Sequence, residues 1–126
     1  MTPEDIDLPH VVAEVRDAFE AYEAALLRHD IAEMDRWFWE DPRVVRFGIA
    51  DHQQGFDEIA AWRRTTAPVP PNRTHRQVTV TAFGPDTAVA QLLFTNGDHH
   101  PWGRQTQVWV RLPDGWRIAG AHVSMQ

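Results

Sequence analysis

Four strand-like runs, at residues 73–83, 87–96, 103–112 and 116–125, fill the second half of this chain, and the breaks between them are Gly84-Pro85-Asp86, Gly97-Asp98 and Pro113-Asp114-Gly115. Runs of that length divided by turn residues predict antiparallel strands joined as a meander. Before residue 73 the periodicity is helical. From His10 to Arg28, apolar Val12, Val15, Phe19, Tyr22 and Leu26 recur every three or four residues, with Arg16, Glu20 and Glu23 on the other side, which predicts a long amphipathic helix. Asp30 is placed to cap a second helix, whose stripe of Ile31, Met34, Trp37 and Phe38 ends before Asp41-Pro42. Residues 43–47 read as a short strand, Gly48 as a turn, 56–66 as a third helix, and 67–72, with three prolines, as a loop.

Helices first and a meander afterwards predict an α+β layer and disfavour a dinucleotide-binding βαβ arrangement. At 126 residues the chain has room for one core and one pocket, so residues 1–126 are read as a single domain. The run 88–94 is apolar on both sides, with Leu92 and Phe94 on one and Val89 and Leu93 on the other. Three helices can cover only one of those faces. A second copy of the sheet is therefore expected on the other, as in a homodimer, the alternative being a moderately apolar exposed face.

A formal net charge of −6 repels phosphate backbones and anionic lipid heads, so nucleic acid and membrane surfaces are poor partners. No stretch is long and apolar enough to span a bilayer. The acidic start, MTPEDIDLPH, has no secretory pattern and leaves the cytoplasm as the expected compartment. All twelve Lys/Arg positions are arginine, which excludes Schiff-base chemistry; there is no cysteine thiolate, and the lone serine, Ser124, sits outside any strand-turn-helix elbow. Tyrosine, histidine, arginine and carboxylates remain.

Tyr22, the only tyrosine, falls on the apolar stripe of the first helix, where its hydroxyl needs a partner, whether a structural carbonyl or a substrate. Arg46 sits between Val45 and Phe47 in a strand, and burying a guanidinium requires an anion, which a protein carboxylate or a substrate carboxylate can supply. Strict alternation puts Trp116, Ile118, Gly120, His122 and Ser124 on one face, so His122 and Ser124 are expected to extend an apolar row toward a cavity mouth, unless His122 is a satisfied core histidine. In the four-strand half the acids are Asp86, Asp98 and Asp114, all at turns, and Asp51 follows the first strand. His99-His100 are read as turn residues rather than metal ligands, so no metal is expected. Arg63-Arg64 and Arg73-Thr74-His75-Arg76 are read as solvated charge, although Arg63 lies seven positions after Phe56 and can reach inward. Trp37, Trp39, Trp62 and Trp109 are read as core.

The order helix, helix, strand, helix, meander resembles the nuclear transport factor two-like, cystatin-like fold: a cone-shaped, curved antiparallel sheet packed with three N-terminal helices around a pocket, shared by SnoaL-like cyclases and ketosteroid isomerase. Within it, Tyr22-Glu23 with Ala25-Leu26, Arg46-Phe47-Gly48, Gly103-Arg104-Gln105 to Trp109, and Gly115-Trp116-Arg117-Ile118 to Ala121-His122-Val123-Ser124 resemble the AtzH-like group of cyanuric acid and oxalurate catabolism, which includes HpxZ-like proteins. That resemblance implies a cofactor-independent decarboxylating amidohydrolase that converts 1,3-dicarboxyurea, a small acidic urea-derived substrate, to allophanate beside an amidase. It implies catalytic roles at Tyr22 and Arg46. Arg104, His122, Ser124, Trp62 and Asn96 complete the expected substrate-binding set. A non-catalytic binding module for a partner amidase and a SnoaL-type isomerase or cyclase using Asp51 or Asp35 are the rival readings.

Overall fold

The computed structural model describes residues 1–97 and 101–126. The expected turn residue Asp98 and the pair His99-His100 lie outside the described residues. After a short 3-10 turn at Pro3–Asp5 come α1 (Pro9–Leu27), α2 (Ile31–Arg36), β1 (Val45–Phe47), β2 (His52–Gln54), α3 (Phe56–Arg63), β3 (Thr74–Ala82), β4 (Thr87–Thr95), β5 (Gly103–Leu112) and β6 (Gly115–Met125).

Local chemistry sets the corner between the first two helices. α1 opens on Pro9, whose missing N–H costs nothing in a first turn. It ends with His29 in the left-handed region at φ 55. There the His29 amide donates to the Leu26 carbonyl and the Asp30 amide to the Ala25 carbonyl, the paired bonds of a Schellman stop. Asp30 then accepts from the Glu33 amide at 3.1 Å and starts α2. α2 is shorter than its apolar stripe suggests. Trp37 and Phe38 leave the helix because β6 competes for their backbone: the Ile118 amide donates to the Trp37 carbonyl at 2.8 Å and the Trp39 amide to the Ile118 carbonyl at 3.0 Å.

The six strands form one open sheet in the order β2-β1-β6-β5-β4-β3, the nuclear transport factor two-like, cystatin-like architecture. The sheet is not wholly antiparallel, because β1 lies parallel to β6, with Arg46 beside Ala121. The segment expected as a turn after β1 also forms an edge strand, β2, with Gln53 opposite Arg46. On the inner face Val80, Ala82, Ala88, Ala90, Leu92, Phe94, Trp109 and Ile118 pack against Val11, Val15, Phe19, Tyr22 and Met34 of the helices.

Two bulges bend the sheet and reverse which residues face inward. In β6 the register slips between Val108 and Trp109, so that Ile118 and Gly120 pair with consecutive residues and Ala119 is extra. Trp116 and Ile118 point into the core before it, and Ala121, Val123 and Met125 pack against the core after it. The expected row through His122 and Ser124 is thereby turned to the outer face. In β3 the slip lies between Arg76 and Thr79, where Gln77 has φ 52. Inward positions change there from Val78, Val80 and Ala82 to His75 and Arg73.

That second reversal closes a polar clamp between α1 and the sheet. Glu23 is 3% exposed, and Arg73, read from sequence as solvated, is 8% exposed. Gln105 Nε2 donates to Glu23 Oε1 at 3.1 Å, Arg73 Nη2 reaches Glu23 Oε2 at 3.4 Å and Gln105 Oε1 at 3.2 Å, and His75 Nε2 lies 2.9 Å from Glu23 Oε2. Burial pushes the Glu23 carboxyl up, but the bonds from His75 and Gln105 and the Arg73 charge outweigh it and hold the group below its ordinary value of 4.5.

A carboxyl held lower in the folded chain stabilises the fold above its unfolded value and loses that contribution as the pH falls through the folded one. Glu23→Gln strands Arg73 in the core and is expected to cost about 3–5 kcal/mol at neutral pH. The gap between variant and parent should narrow in acid, and urea denaturation at both pH values measures it. A gap independent of pH would show that the charge on Glu23 does not carry the clamp.

Candidate functional site

A cavity of about 330 Å³ lies between the three helices and the inner face of the sheet. Each wall is fixed by an element already described. α1 supplies Tyr22, β1 supplies Arg46, the end of α3 supplies Trp62 and Arg63, and the inward half of β3 brings Arg73. Phe94 and Asn96 come from β4 and the residue beyond it, and Gln105 and Gln107 from β5.

Arg46 stands over the Trp62 indole with its guanidinium carbon 3.7 Å from the ring centroid, a cation–π stack that also holds the fork flat. Its Nη1 donates to Asp51 Oδ1 at 2.9 Å and to Gln53 Oε1 at 2.8 Å. The guanidinium therefore has a counterion within the chain, so one of the two partners left open by the sequence, a protein carboxylate, is present. The pairing is partial. Asp51 takes only Nη1 and its own side chain is 45% exposed, whereas that of Arg46 is 13% exposed. The Nε–Nη2 edge, the one that grips a carboxylate with two parallel bonds, has no partner among the described residues. Gly48 makes room for this pair, since a Cβ there would collide with Asp51 Oδ1 and Arg46 Nη1.

Arg63 and Arg73 are corrections to the sequence reading, which left both among solvated charges. Arg63 is 2% exposed. Its Nε donates to Asp35 Oδ1 at 2.8 Å and its Nη1 approaches Met34 Sδ at 3.4 Å, while Nη2 is buried with no partner among the described residues. Arg73 lies over the Phe94 ring at 4.1 Å, and its Nε is likewise buried and unpartnered. Asp35 is shared with Arg64 at 3.2 Å, so it cannot neutralise both cations. Three guanidinium groups thus line one hollow among the described residues, with Asp51 on the wall beside Arg46 and Asp35 and Glu23 behind Arg63 and Arg73.

The other polar atoms are placed as complements. Tyr22 is 7% exposed, edge-on to Phe38, and its hydroxyl has no partner among the described residues. Asn96 Oδ1 is a buried acceptor with no donor among the described residues. Gln107 Oε1 accepts from Trp109 Nε1 at 3.0 Å, which fixes the amide against the indole. Tyr22, Arg46, Trp62 and Asn96, four of the sequence-selected residues, therefore line the same cavity. Arg104, His122 and Ser124 do not. Arg104 follows buried Gly103 and precedes buried Gln105 in β5, so it points to the outer face, where Ser124 pairs with it and where it lines a depression with Arg76 and Trp102. His122 is exposed and stacks on Phe47 at 5.6 Å, on the outside of the β6 bulge. Among the described residues no group of three or more His, Asp or Glu side chains is arranged to hold a metal ion, and no helix is long and apolar enough to cross a membrane.

The whole architecture recurs in solved structures. A protein of unknown function from the DUF3225 family of Pectobacterium atrosepticum is 40% identical, with a TM-score of 0.96 over 100% of this chain and 98% of that one. A cystatin-like fold protein from Burkholderia xenovorans is 46% identical, with a TM-score of 0.91 over 95% of each chain. A nuclear transport factor 2 superfamily protein from Salmonella enterica, 22% identical over 92% of this chain and 91% of that one, shares the fold at a TM-score of 0.73. No curated protein matches. The AtzH-like family model matches residues 4–126, nearly the full length, and the chain belongs to the AtzH-like family.

Proposed function

We propose that this chain is a cofactor-independent enzyme that removes carbon dioxide from a small N-carboxylated urea, converting 1,3-dicarboxyurea to allophanate. The observation that carries the reading is the hydroxyl of Tyr22, free of any partner among the described residues, on the wall of a cavity that also holds unspent guanidinium donors. A volume of about 330 Å³ suits a small acid. The buried acceptor on Asn96 favours a ligand that carries N–H groups as well as carboxylates, which a ureido acid does and a plain carboxylic acid does not.

In the proposed step the Nε–Nη2 edge of Arg46 grips the substrate and sets its carbamate nitrogen beside Tyr22. The bond from nitrogen to the carboxylate carbon breaks, its electron pair stays on nitrogen, and carbon dioxide leaves. The Tyr22 phenol supplies the proton that nitrogen takes up, and the tyrosinate recovers one from solvent, so one proton is consumed for each carbon dioxide released. Guanidinium groups in a hollow that excludes water stabilise the charge shift more than they would in bulk solvent.

Asp51 supports a second reading. It is a carboxylate at the cavity wall, bonded to Arg46, where a proton-shuttling isomerase or cyclase would hold its base. The two readings part on the same residue: the first needs Asp51 only to orient Arg46, the second needs it to move a proton.

The proposal extends to assembly and setting. The outer faces of β4 and β5 carry Val89, Leu93 and Val108, the last 36% exposed, and the helices lie on the other side of the sheet. A second copy covering that face makes a homodimer. The reading also carries a cytoplasmic setting and a functional association with an amidase that consumes allophanate.

Purified protein is expected to release carbon dioxide from 1,3-dicarboxyurea above the uncatalysed rate, with ammonia measured alongside. Tyr22→Phe should lower that rate by about 10²–10⁴-fold while leaving the thermal transition in place. Asp51→Asn should keep turnover within about tenfold of the parent. A parent rate equal to that of buffer sinks the decarboxylase, and an Asp51→Asn loss as deep as that of Tyr22→Phe turns the assignment to the acid–base reading. For assembly, sedimentation should give a dimer for the parent and a monomer for Val108→Glu; a monomeric parent removes the paired sheet.

A further inference from the structure

We infer that Arg63 and Arg73 form a second anion subsite, deeper than Arg46, which makes the cavity a receptor for small dianions rather than for single carboxylates. The inference rests on the reading above that a small acid occupies the cavity, and it assigns the residues that select its class.

Depth is ordered by exposure. The side chains of Arg63 and Arg73 are 2% and 4% exposed, against 13% for Arg46 and 45% for its partner Asp51 at the rim. Each deep guanidinium is fastened from behind. Asp35 holds Arg63 through Nε, and Glu23 and Gln105 hold Arg73 through Nη2. Aromatic faces complete the setting, with Arg63 5.1 Å from the Phe38 centroid and Arg73 4.1 Å from that of Phe94. Fastening of this kind removes the rotamer entropy that a flexible side chain loses on gripping a ligand.

The carboxylates behind them do not use up their donors. Among the described residues Arg63 Nη2 and Arg73 Nε are buried with no partner, and a buried donor left unmade costs about 1–3 kcal/mol. Both atoms belong to cations that line the same cavity, and an oxygen of a bound acid is the kind of acceptor they lack. Charge points the same way, because Asp35 is divided between Arg63 and Arg64. Arg46 and Arg63 flank the Trp62 indole, 3.7 and 5.7 Å from its centroid, so one short ligand can touch both ends. A carboxylate held at the deep end keeps its charge through the proposed reaction. Gripping it binds substrate and transition state alike, which lowers KM without slowing the chemistry.

Calorimetry on the whole protein tests this with glutarate, whose carboxylates are spaced as in 1,3-dicarboxyurea, against glutarate monomethyl ester. A second charge-assisted contact predicts that glutarate binds about 10- to 100-fold more tightly than the ester. That comparison needs no variant, and equal affinities, or no binding of either ligand, overturn the subsite. Arg63→Lys and Arg73→Lys keep a cation for Asp35 and Glu23 but lose the guanidinium fork, and circular dichroism reports whether each still folds. In at least one of them the glutarate preference should fall toward unity with ester affinity unchanged, whereas Arg46→Gln should weaken both ligands. A preference retained in both folded lysine variants overturns the assignment. Preference without turnover keeps the subsite and sinks the decarboxylase, and turnover without preference does the reverse.

Discussion

The fold and its cavity both hang on a carboxylate buried where helix meets sheet. Glu23 projects from α1 onto Arg73, His75 of β3 and Gln105 of β5, and it is the buried one of the helix's polar ties to the sheet among the described residues, since Glu14 meets Arg111 and Trp116, and Arg16 the Val78 carbonyl, nearer the surface. Apolar packing alone would let α1 slide along the sheet, since Val11, Val15 and Phe19 meet a surface of alanines and other apolar side chains that fixes no register. A buried carboxylate with three directional partners allows one position. Tyr22 stands next to Glu23 on the helix, so the bond network that seats α1 also aims the phenol.

An arginine-only complement of cations suits this construction. Each guanidinium in the cavity is anchored by one part of its fork: Arg46 gives Nη1 to Asp51 and Gln53, Arg63 gives Nε to Asp35, and Arg73 gives Nη2 to Glu23. In the proposed function, the remaining donors are those that hold the acid. Lysine, with one nitrogen on a flexible stem, cannot be anchored by one edge and present another.

Most elements, though not the edge strand β2, were legible because their signals are local. Apolar spacing marked α1, Asp30 marked the start of α2, and turn residues marked the ends of β3 to β6. The bulges were not. Alternation read without interruption through Ala119 puts His122 and Ser124 inside, and alternation read back from Val80 through Gln77 puts Arg73 and His75 outside; one extra residue in each strand reverses both. Gly120, a glycine inside the strand, was the one mark of the β6 slip, and nothing marked the β3 slip, for Gln77 adopts a positive φ without being glycine or asparagine. Tyr22 and Arg46 stood out because a polar group on an apolar stripe is an anomaly at any single position. Arg63 and Arg73 sat among other charged residues, where burial depends on Asp35 and Glu23, 28 and 50 positions away. The faint trace was Arg63, seven residues beyond Phe56 on the same helical face.

Asp51 decides how the cavity treats charge. Without it, an unoccupied hollow would hold three guanidinium groups with two buried carboxylates, a state that repels its own members. Placing the third carboxylate on the rim, half in water and on one nitrogen of Arg46, lets solvent stabilise it when a ligand oxygen displaces it or joins it. The exchange then swaps one anion for another near the same cation, so an incoming acid needs to supply only the difference in geometry between one bond and a parallel pair. The deep arginines have less room for such an exchange, because the carboxylates behind them, Glu23 at 4% and Asp35 at 11% exposed, are far less open to water than Asp51 at 45%. Under the proposed function, selectivity therefore belongs to the bottom of the cavity and admission to its mouth.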